Sequence, residues 1–332
     1  MKPTAVRPVL ALLLLSSIVA SATTDDKLNQ RFSVHSGGTV VVEVDFGSIK
    51  LSTNATSEVV VDAWRKIGRK KKADEEAFLR DTPITITQDG NTVTIRSQGK
   101  ARSSSSWSWP WSGRISNEAK YTISVPAQFS ARLKTGGGDI AVVDLGGEVW
   151  ADTGGGGLSF ARLHGPLQGQ TGGGGVQVVA CASALTLRTG GGGIEVSGSS
   201  GSLDGKTGGG SVSVREFQGP VCVCSGGGGL SIDRVQGAVD ASTGGGAISS
   251  VLPSEVADTV KLSTGGGGIS ISVPPTVAFN LDARTSGVGV STELPVAVAG
   301  KIEPDCLQGP VNGGGKTVQL RSGGGDIHLK KL

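Results

Sequence analysis

The chain has only four cysteines in 332 residues, Cys181, Cys222, Cys224 and Cys306. That is too few for a disulfide scaffold, although an oxidising compartment would allow bridges. "VCVC" puts Cys222 and Cys224 on one face of a strand, where a bridge between them would be strained. A lone C-x-C is also a weak zinc signature, so the four read as structural cysteines, with no metal and no cofactor expected. The three histidines are scattered, which shows neither a metal cluster nor a catalytic triad. Proline does not recur at every third position, which excludes collagen. The apolar fraction of 37% and the near-neutral charge are not those of a disordered chain. No apolar run after residue 22 is long enough to span a bilayer.

The first 22 residues have their own pattern. Lys2 and Arg7 precede the twelve-residue apolar run "VLALLLLSSIVA", and "ASA" ends at Ala22. This is the layout of a signal peptide cleaved after Ala22. The expected mature protein is exported, periplasmic or secreted to the cell surface. Without Lys2 and Arg7, 29 of the 31 basic residues remain against 28 acidic ones. Bulk charge therefore gives no reason to expect a nucleic-acid partner.

Glycine, by contrast, is abundant, with 55 residues. "DTGGGGLSF", "QTGGGGVQV", "RTGGGGIEV", "KTGGGSVSV" and "CSGGGGLSI" are variants of one unit. The Thr or Ser before each glycine run falls at Thr135, Thr153, Thr171, Thr189, Thr207, Ser225 and Thr243, always 18 residues apart. Thr264 and Thr285 follow at intervals of 21, and a weaker unit recurs at Ser322. A fixed period over this range is a repeat architecture and outranks any single motif.

Aligned, the units show columns. Five residues after the Thr come Ile140, Leu158, Val176, Ile194, Val212, Leu230 and Ile248. Seven after come Val142, Phe160, Val178, Val196, Val214 and Ile232, and fourteen after come Val149, Leu167, Leu185, Leu203, Val221 and Val239. Columns two apart are strand periodicity. "LGG", "HGP", "QGP" and "QGA" lie between the strands and read as turns. Eighteen residues are too few for a βαβ unit, and one unit cannot bury its apolar column alone. The predicted fold is all-β: a single-chain parallel β-solenoid with 18-residue coils and Gly-rich corners, its strands pairing at about 4.8 Å. Left-handed hexapeptide coils need an aliphatic residue every six positions, so a right-handed coil is favoured. The glycine run reads as a corner with positive φ, or as a close approach that a Cβ would block. Gly→Val at a central corner such as Gly191 is then expected to destabilise more than at a terminal one. The preceding Thr has inward parity and predicts a stacked hydroxyl ladder.

The organisation expected is a signal peptide over 1–22, an N-terminal β region over 23–134 continuous with the solenoid, and the Gly-rich repeats over 135–332. In the N-terminal region "RFSVH", "TVVVEVDF", "SIKLS" and "EVVVDAW" read as strands, and "ITITQDGNTVTIRS" as a hairpin turning at Asp89–Asn91. Two inserts interrupt it. Residues 65–82 carry six basic residues between Arg65 and Lys72, then an acidic helical stretch of about two turns. That insert reads as a solvated segment, or as a contact for anionic lipid or polymer. Residues 100–116 hold Trp107, Trp109 and Trp111, alternating in a Ser-rich loop with Pro110. Three rings on one face would stack on sugars, enter a membrane interface or anchor a partner. Equally, the loop could cap the apolar end of the solenoid. These three tryptophans are the candidate binding residues.

Several chemistries fail on spacing. "GGGKT" at 313–317 resembles a P-loop, but its leading glycine is missing and "VQLRS" is a strand. A Rossmann site needs the helices that the repeats lack. Calcium-binding rolls need Asp in every repeat, whereas only Asp139 and Asp326 follow a glycine run. A polysaccharide-active β-helix enzyme is the serious catalytic alternative. Asp204 and Asp240 share an outward column two coils apart, about 9.6 Å, at the upper edge for an inverting glycosidase pair. Cys222 lies between them. Arg215 and Asp233, neighbours in another column, read as a surface salt bridge. No residue is assigned a catalytic role.

"FSVHSGGTVVVEVDFGSIKL", "YTISVPAQFSARLKTGGGDIAV" and "GGGKTVQLRSGGGDIHLKK", with the Val125–Pro126 strand end before T-G-G-G-D-I, resemble the bacterial putative-adhesin β-strand repeat family, domain of unknown function 4097. The similarity runs over residues 31–331, apart from the inserts at 65–82 and 100–116. It implies a β-solenoid on an exported or envelope protein and carries over no catalytic residue. The function expected is thus a non-enzymatic, adhesin-like or structural binding protein of the cell envelope. Its partners would be envelope polysaccharide, peptidoglycan, the membrane surface or another envelope protein. A polysaccharide-active enzyme and a periplasmic signalling or assembly partner are the alternatives.

Overall fold

The computed structural model describes residues 24–69, 71–99, 116–298 and 303–332. Apart from one helix, the described residues form strands and turns. The N-terminal part contains β1 (Thr24–Ser33), β2 (Thr39–Val44), β3 (Ser48–Asn54), β4 (Glu58–Gly68), α1 (Lys72–Asp81), β5 (Thr85–Asp89), β6 (Thr92–Ser97) and β7 (Ser116–Pro126). The repeats follow as strand pairs: β8 (Ser130–Thr135) and β9 (Ile140–Val143), β10 (Val149–Thr153) and β11 (Leu158–Ala161), β12 (Leu167–Thr171) and β13 (Val176–Val179), β14 (Ala182–Thr189) and β15 (Ile194–Ser197). The series continues with β16 (Ser200–Thr207) and β17 (Val212–Arg215), β18 (Val221–Ser225) and β19 (Leu230–Asp233), β20 (Val239–Thr243) and β21 (Ile248–Val251), β22 (Val260–Thr264) and β23 (Ile269–Val273). It ends with β24 (Phe279–Thr285), β25 (Val290–Thr292), β26 (Cys306–Val311), β27 (Thr317–Ser322) and β28 (Ile327–Lys331).

Two long, mostly parallel sheets result. Sheet I runs β1-β4-β7-β3-β9-β11-β13-β15-β17-β19-β21-β23-β28-β25. Sheet II runs β26-β24-β27-β22-β20-β18-β16-β14-β12-β10-β8-β2-β6-β5. Each central repeat gives one strand to each sheet, and neighbours pair at a register of 18: Thr153 faces Thr171 and Leu158 faces Val176. This is the solenoid-like stack that the period implies. The columns five, seven and fourteen residues after the Thr line its interior as buried ladders, interrupted by Ser250, whose hydroxyl donates to the Ile232 carbonyl at 2.7 Å. The hairpin β5–β6 is antiparallel, with its turn where the sequence places it.

Two further ladders were not visible as columns of one residue type. Ten after the Thr, Leu145, Leu163, Cys181, Ser199, Phe217 and Val235 are all buried at the second turn. Sixteen after, small and large residues alternate as Ala151, Gly169, Leu187, Gly205 and Val223. A Cβ at Gly169 would lie 3.2 Å from both Leu158 and Phe160, so the missing side chain gives the Phe160 ring its room. Such volume exchange between facing ladders keeps the interior filled.

The glycine corner works mainly by close approach, and among the repeat runs Gly138 alone has a left-handed φ, +134°. A Cβ on Gly190 would sit 2.3 Å from the Gly172 carbonyl oxygen, and one on Gly192 would sit 2.0 Å from that of Gly174. The first and third glycines of each run therefore face the backbone of the previous coil. The second does not: from Gly191 the nearest atom would be 3.9 Å away. The expectation that Gly191 is a sensitive corner position is corrected accordingly. Positive φ instead recurs at the opposite turn, nine residues after each Thr, at Asp144, Arg162, Ala180, Gly198, Glu216 and Arg234. Only one of these six is glycine, so the positive-φ position itself was not legible, although "LGG", "HGP", "QGP" and "QGA" mark the turn. Cross-coil ion pairs Arg162–Asp144 and Arg234–Glu216 sit there.

The expected hydroxyl ladder exists, but its hydroxyls bond to glycine backbone rather than to each other. Thr171 donates to the Gly156 carbonyl one coil back at 2.7 Å and accepts the Gly174 amide at 3.1 Å. The same two-way staple recurs at Thr153, Thr189, Thr207, Ser225, Thr243, Thr264 and Ser322. Each buried hydroxyl is satisfied as donor and as acceptor.

The ends depart from chain order. Repeat order places Thr285 beside Thr264 and Ser322 last. In the structure Ser322 faces both, so the stack runs Thr264, Ser322, Thr285. The C-terminal pair β27–β28 is clasped between β22–β23 and β24–β25. At the other end β2–β3 is clasped in the same way between β6–β7 and β8–β9. Two similar segments step across the clasped pairs, "VPAQF" (125–129) and "VPPTVAF" (273–279). Each proline ends its ladder by lacking an amide and opens a turn, with Phe129 N donating to Pro126 O at 3.1 Å and Val277 N to Pro274 O at 3.2 Å. Phe129 and Phe279 then re-enter the core at 0% exposure. The Val125–Pro126 signature thus marks a step of two strand spacings, about 9.6 Å.

The first insert starts later than the sequence suggests, because β4 continues to Gly68. Arg65 is not solvated. It is 1% exposed and bonds Asp26 at 2.6 Å, the Thr82 carbonyl at 2.5 Å and the Ser97 hydroxyl at 3.2 Å. Arg69 bonds Asn117 and lies over the Phe78 ring of α1. Asp74 and Glu75 in the first turn of α1, and Arg80 in its last, complement the helix dipole.

Candidate functional site

Trp107, Trp109 and Trp111 lie outside the described residues.

Strand parity makes each outer face a set of columns. On sheet II one column runs Arg132, Trp150, Gln168, Thr186, Asp204, Cys222, Asp240 and Lys261. Trp150 is half-buried and lines a depression of about 480 Å³ together with Val41, Glu43, Arg132, Lys134, Glu148 and Gln168. An aromatic face surrounded by side-chain donors and acceptors suits a ring that is apolar on one side and hydroxylated at its edge. Sequence analysis missed Trp150, because a single aromatic in one coil breaks no pattern. Its partners on neighbouring coils are 18 residues away in either direction. Trp64 occupies a comparable place on sheet I, with Lys120 Nζ 5.4 Å from its ring centre and Asn29 and Asp62 nearby.

Asp204, Cys222 and Asp240 do share the predicted column, inside another depression of about 480 Å³. Asp204 lies 3.3 Å from Arg188 and 3.7 Å from Lys206. The Cys222 thiol is pushed up, first by partial burial and then by the flanking Asp240 and Asp204 carboxylates. That holds it protonated and makes it a poor nucleophile and metal ligand. All four cysteines are free thiols, and Cys222 and Cys224 are both exposed. Cys181 is buried in the second-turn ladder, and burial raises its thiol as well. Among the described residues no group of three His, Cys, Asp or Glu could hold a metal ion. Arg215 and Asp233 make the expected surface pair at 3.8 Å.

Sheet I carries a shallow groove of about 790 Å³ along the stacking direction. One lining column is mostly glycine, with Gly157, Gly175 and Gly193 between Asp139 and Ser211, and the next alternates in length, with Ala141 and Ser159, then Gln177 and Glu195, then Ser213. Farther along that face His328 Nδ1 meets the Ser291 hydroxyl at 2.5 Å. The clasped end brings these two residues together, so chain order gave no sign of it.

No family model matches the chain, and no curated protein matches it. Among solved structures it is similar to a putative adhesin from Parabacteroides distasonis, at 12% identity over 92% of this chain and 97% of that one, with a TM-score of 0.43. A putative adhesin from Parabacteroides merdae is similar at 10% identity over 91% and 95%, with a TM-score of 0.39. A putative lipid binding protein from Parabacteroides distasonis is similar at 9% identity over 91% and 96%, with a TM-score of 0.29. At these identities and scores the likeness assigns no function to any residue here.

Proposed function

We propose that this protein is an exported, non-enzymatic binding protein that holds polysaccharide of the cell envelope on the outer face of sheet II. The observation that carries this reading is the Trp150 depression, where an indole and charged and amide side chains line one concavity. The leader pattern of residues 1–22 supports export. The repeated T-G-G-G-x-aliphatic unit and the two V-P step segments support membership of the putative-adhesin β-strand repeat family, and aliphatic spacings of two and seven rather than six support a right-handed coil. Asp204 is taken up in ion pairs with Arg188 and Lys206, which favours a surface charge network over a catalytic pair with Asp240.

The test is co-sedimentation of residues 23–332 with peptidoglycan sacculi, insoluble polysaccharide and anionic liposomes. The expected result is retention on one of the two glycan matrices that weakens about tenfold or more in Trp150→Ala, the loss typical of a buried aromatic anchor. A Trp107→Ala, Trp109→Ala, Trp111→Ala variant runs in parallel and reads the contribution of that segment. Retention on liposomes alone, or glycan retention that Trp150→Ala leaves unchanged, sinks the reading.

A further inference from the structure

We propose that the C-terminal arch, β27–β28, is exchanged between two copies of this chain, each copy's arch filling the other's slot. The inference is independent of the polysaccharide reading. The arch makes its strand pairs outward, β27 with β22 and β24, β28 with β23 and β25. Its covalent tie to the rest is the segment Asn312–Lys316, "NGGGK", with φ of +92° at Gly313 and +84° at Gly314. Glycine there swings between backbone conformations at little steric cost.

On sheet II the outer wall β24 keeps a strand partner without the arch, whereas on sheet I β25 pairs with β28 alone. The step segment 274–278 joins β23 directly to β24, and β26 holds β24 from the far side in an antiparallel pair. Asn312 is fixed to the step segment through its side-chain amide, which donates to the Pro275 and Val277 carbonyls at 2.9 Å each. A departing arch therefore pivots beyond Asn312 and leaves β24 and β26 attached to the step segment, while β25 waits for the incoming arch.

An empty slot would expose two parallel strand edges on each sheet and the apolar ladder between them. Its chemistry is specific. The Gly267 carbonyl accepts the Ser322 hydroxyl at 2.9 Å, and Thr285 donates to the Gly325 carbonyl at 2.6 Å. Ile327 fits beside Ile269, and Leu329 beside Ile271. The segment that meets all of these demands is the same arch from a second copy. Reciprocal exchange between two C-terminal ends closes on a two-fold axis and leaves no slot open.

The experiment uses residues 23–332 bearing either of two affinity tags, with Cys222, Cys224 and Cys306 changed to Ser. The two proteins are mixed, passed through mild urea and returned to buffer. Capture through one tag, with mass from light scattering, reads exchange. The expected product is a mixed dimer. Deleting Gly313–Gly315, so that the arch no longer reaches its own slot, should leave the exchanged dimer as the sole species without urea. In Lys261→Cys, Gln319→Cys, whose positions face each other on β22 and β27, oxidation should abolish mixing and reduction should restore it. Failure of the two tags to mix in the parent protein overturns the proposal, whether or not the glycine deletion folds. Mixing that persists in the oxidised lock also overturns it, because the copies would then associate elsewhere.

Discussion

The Thr189 hydroxyl donates to the Gly174 carbonyl of the preceding coil at 2.8 Å while accepting the Gly192 amide of its own corner at 3.1 Å. One buried oxygen thus fixes the local turn and joins it to its neighbour. Thr189→Val keeps the shape and leaves both backbone groups without that partner, a loss of about 1–3 kcal/mol. Thr189→Ser should cost well under half as much, since Ser225 makes the same two bonds natively. Urea unfolding of both variants checks this. Equal losses would mean that methyl packing, not the hydroxyl, holds the corner.

Adjacent glycines should differ sharply. Gly192→Ala drives a Cβ into the Gly174 carbonyl and should destabilise by about 3 kcal/mol, the upper range for overpacking. Gly191→Ala points into open space and should stay within about 0.5 kcal/mol of the parent. Thermal midpoints that fall together for the two variants would contradict the close-approach account.

Acid should loosen the C-terminal clasp. Burial acts to raise the Asp282 carboxyl, but hydrogen bonds from Arg321 and Gln308 and the Arg321 charge outweigh it and hold the group at about 2. Asp282 is on β24 and Arg321 on the arch, so the pair ties the outer coil to the clasped one. A depressed carboxyl stabilises the fold above its unfolded value near 4, and the contribution, on the order of 2 kcal/mol, is lost as pH falls towards 2. Asp282→Asn should remove that part of the pH dependence and raise the arch-exchange rate at pH 7. An unchanged stability profile between pH 5 and 2 would show that the pair contributes nothing.

Asp204→Asn and Asp240→Asn should leave glycan retention intact, and neither they nor the parent should release reducing ends from polysaccharide. Release by the parent that either change abolishes would establish the enzyme reading in place of the binding one.

The 18-residue interval, the alternation within each unit and the turn residues determined strands, their inward faces and their parallel register. These are local: period two selects the buried side, and a fixed repeat length sets which residues stack. Which glycines matter was not local, because Gly190 and Gly192 are constrained by a carbonyl one coil away and Gly191 by nothing. The same holds for Arg65, which reads as one charge in a basic run but finds Asp26, Thr82 and Ser97 in the interior. Trp150 became a candidate site only when its neighbours from other coils assembled around it. The order of the end coils was likewise decided by tertiary structure. Ser322 fits between Thr264 and Thr285 because the proline-led segment 274–278 skips a strand position, and pairing energy depends on what lies alongside in space rather than on what comes next in the chain.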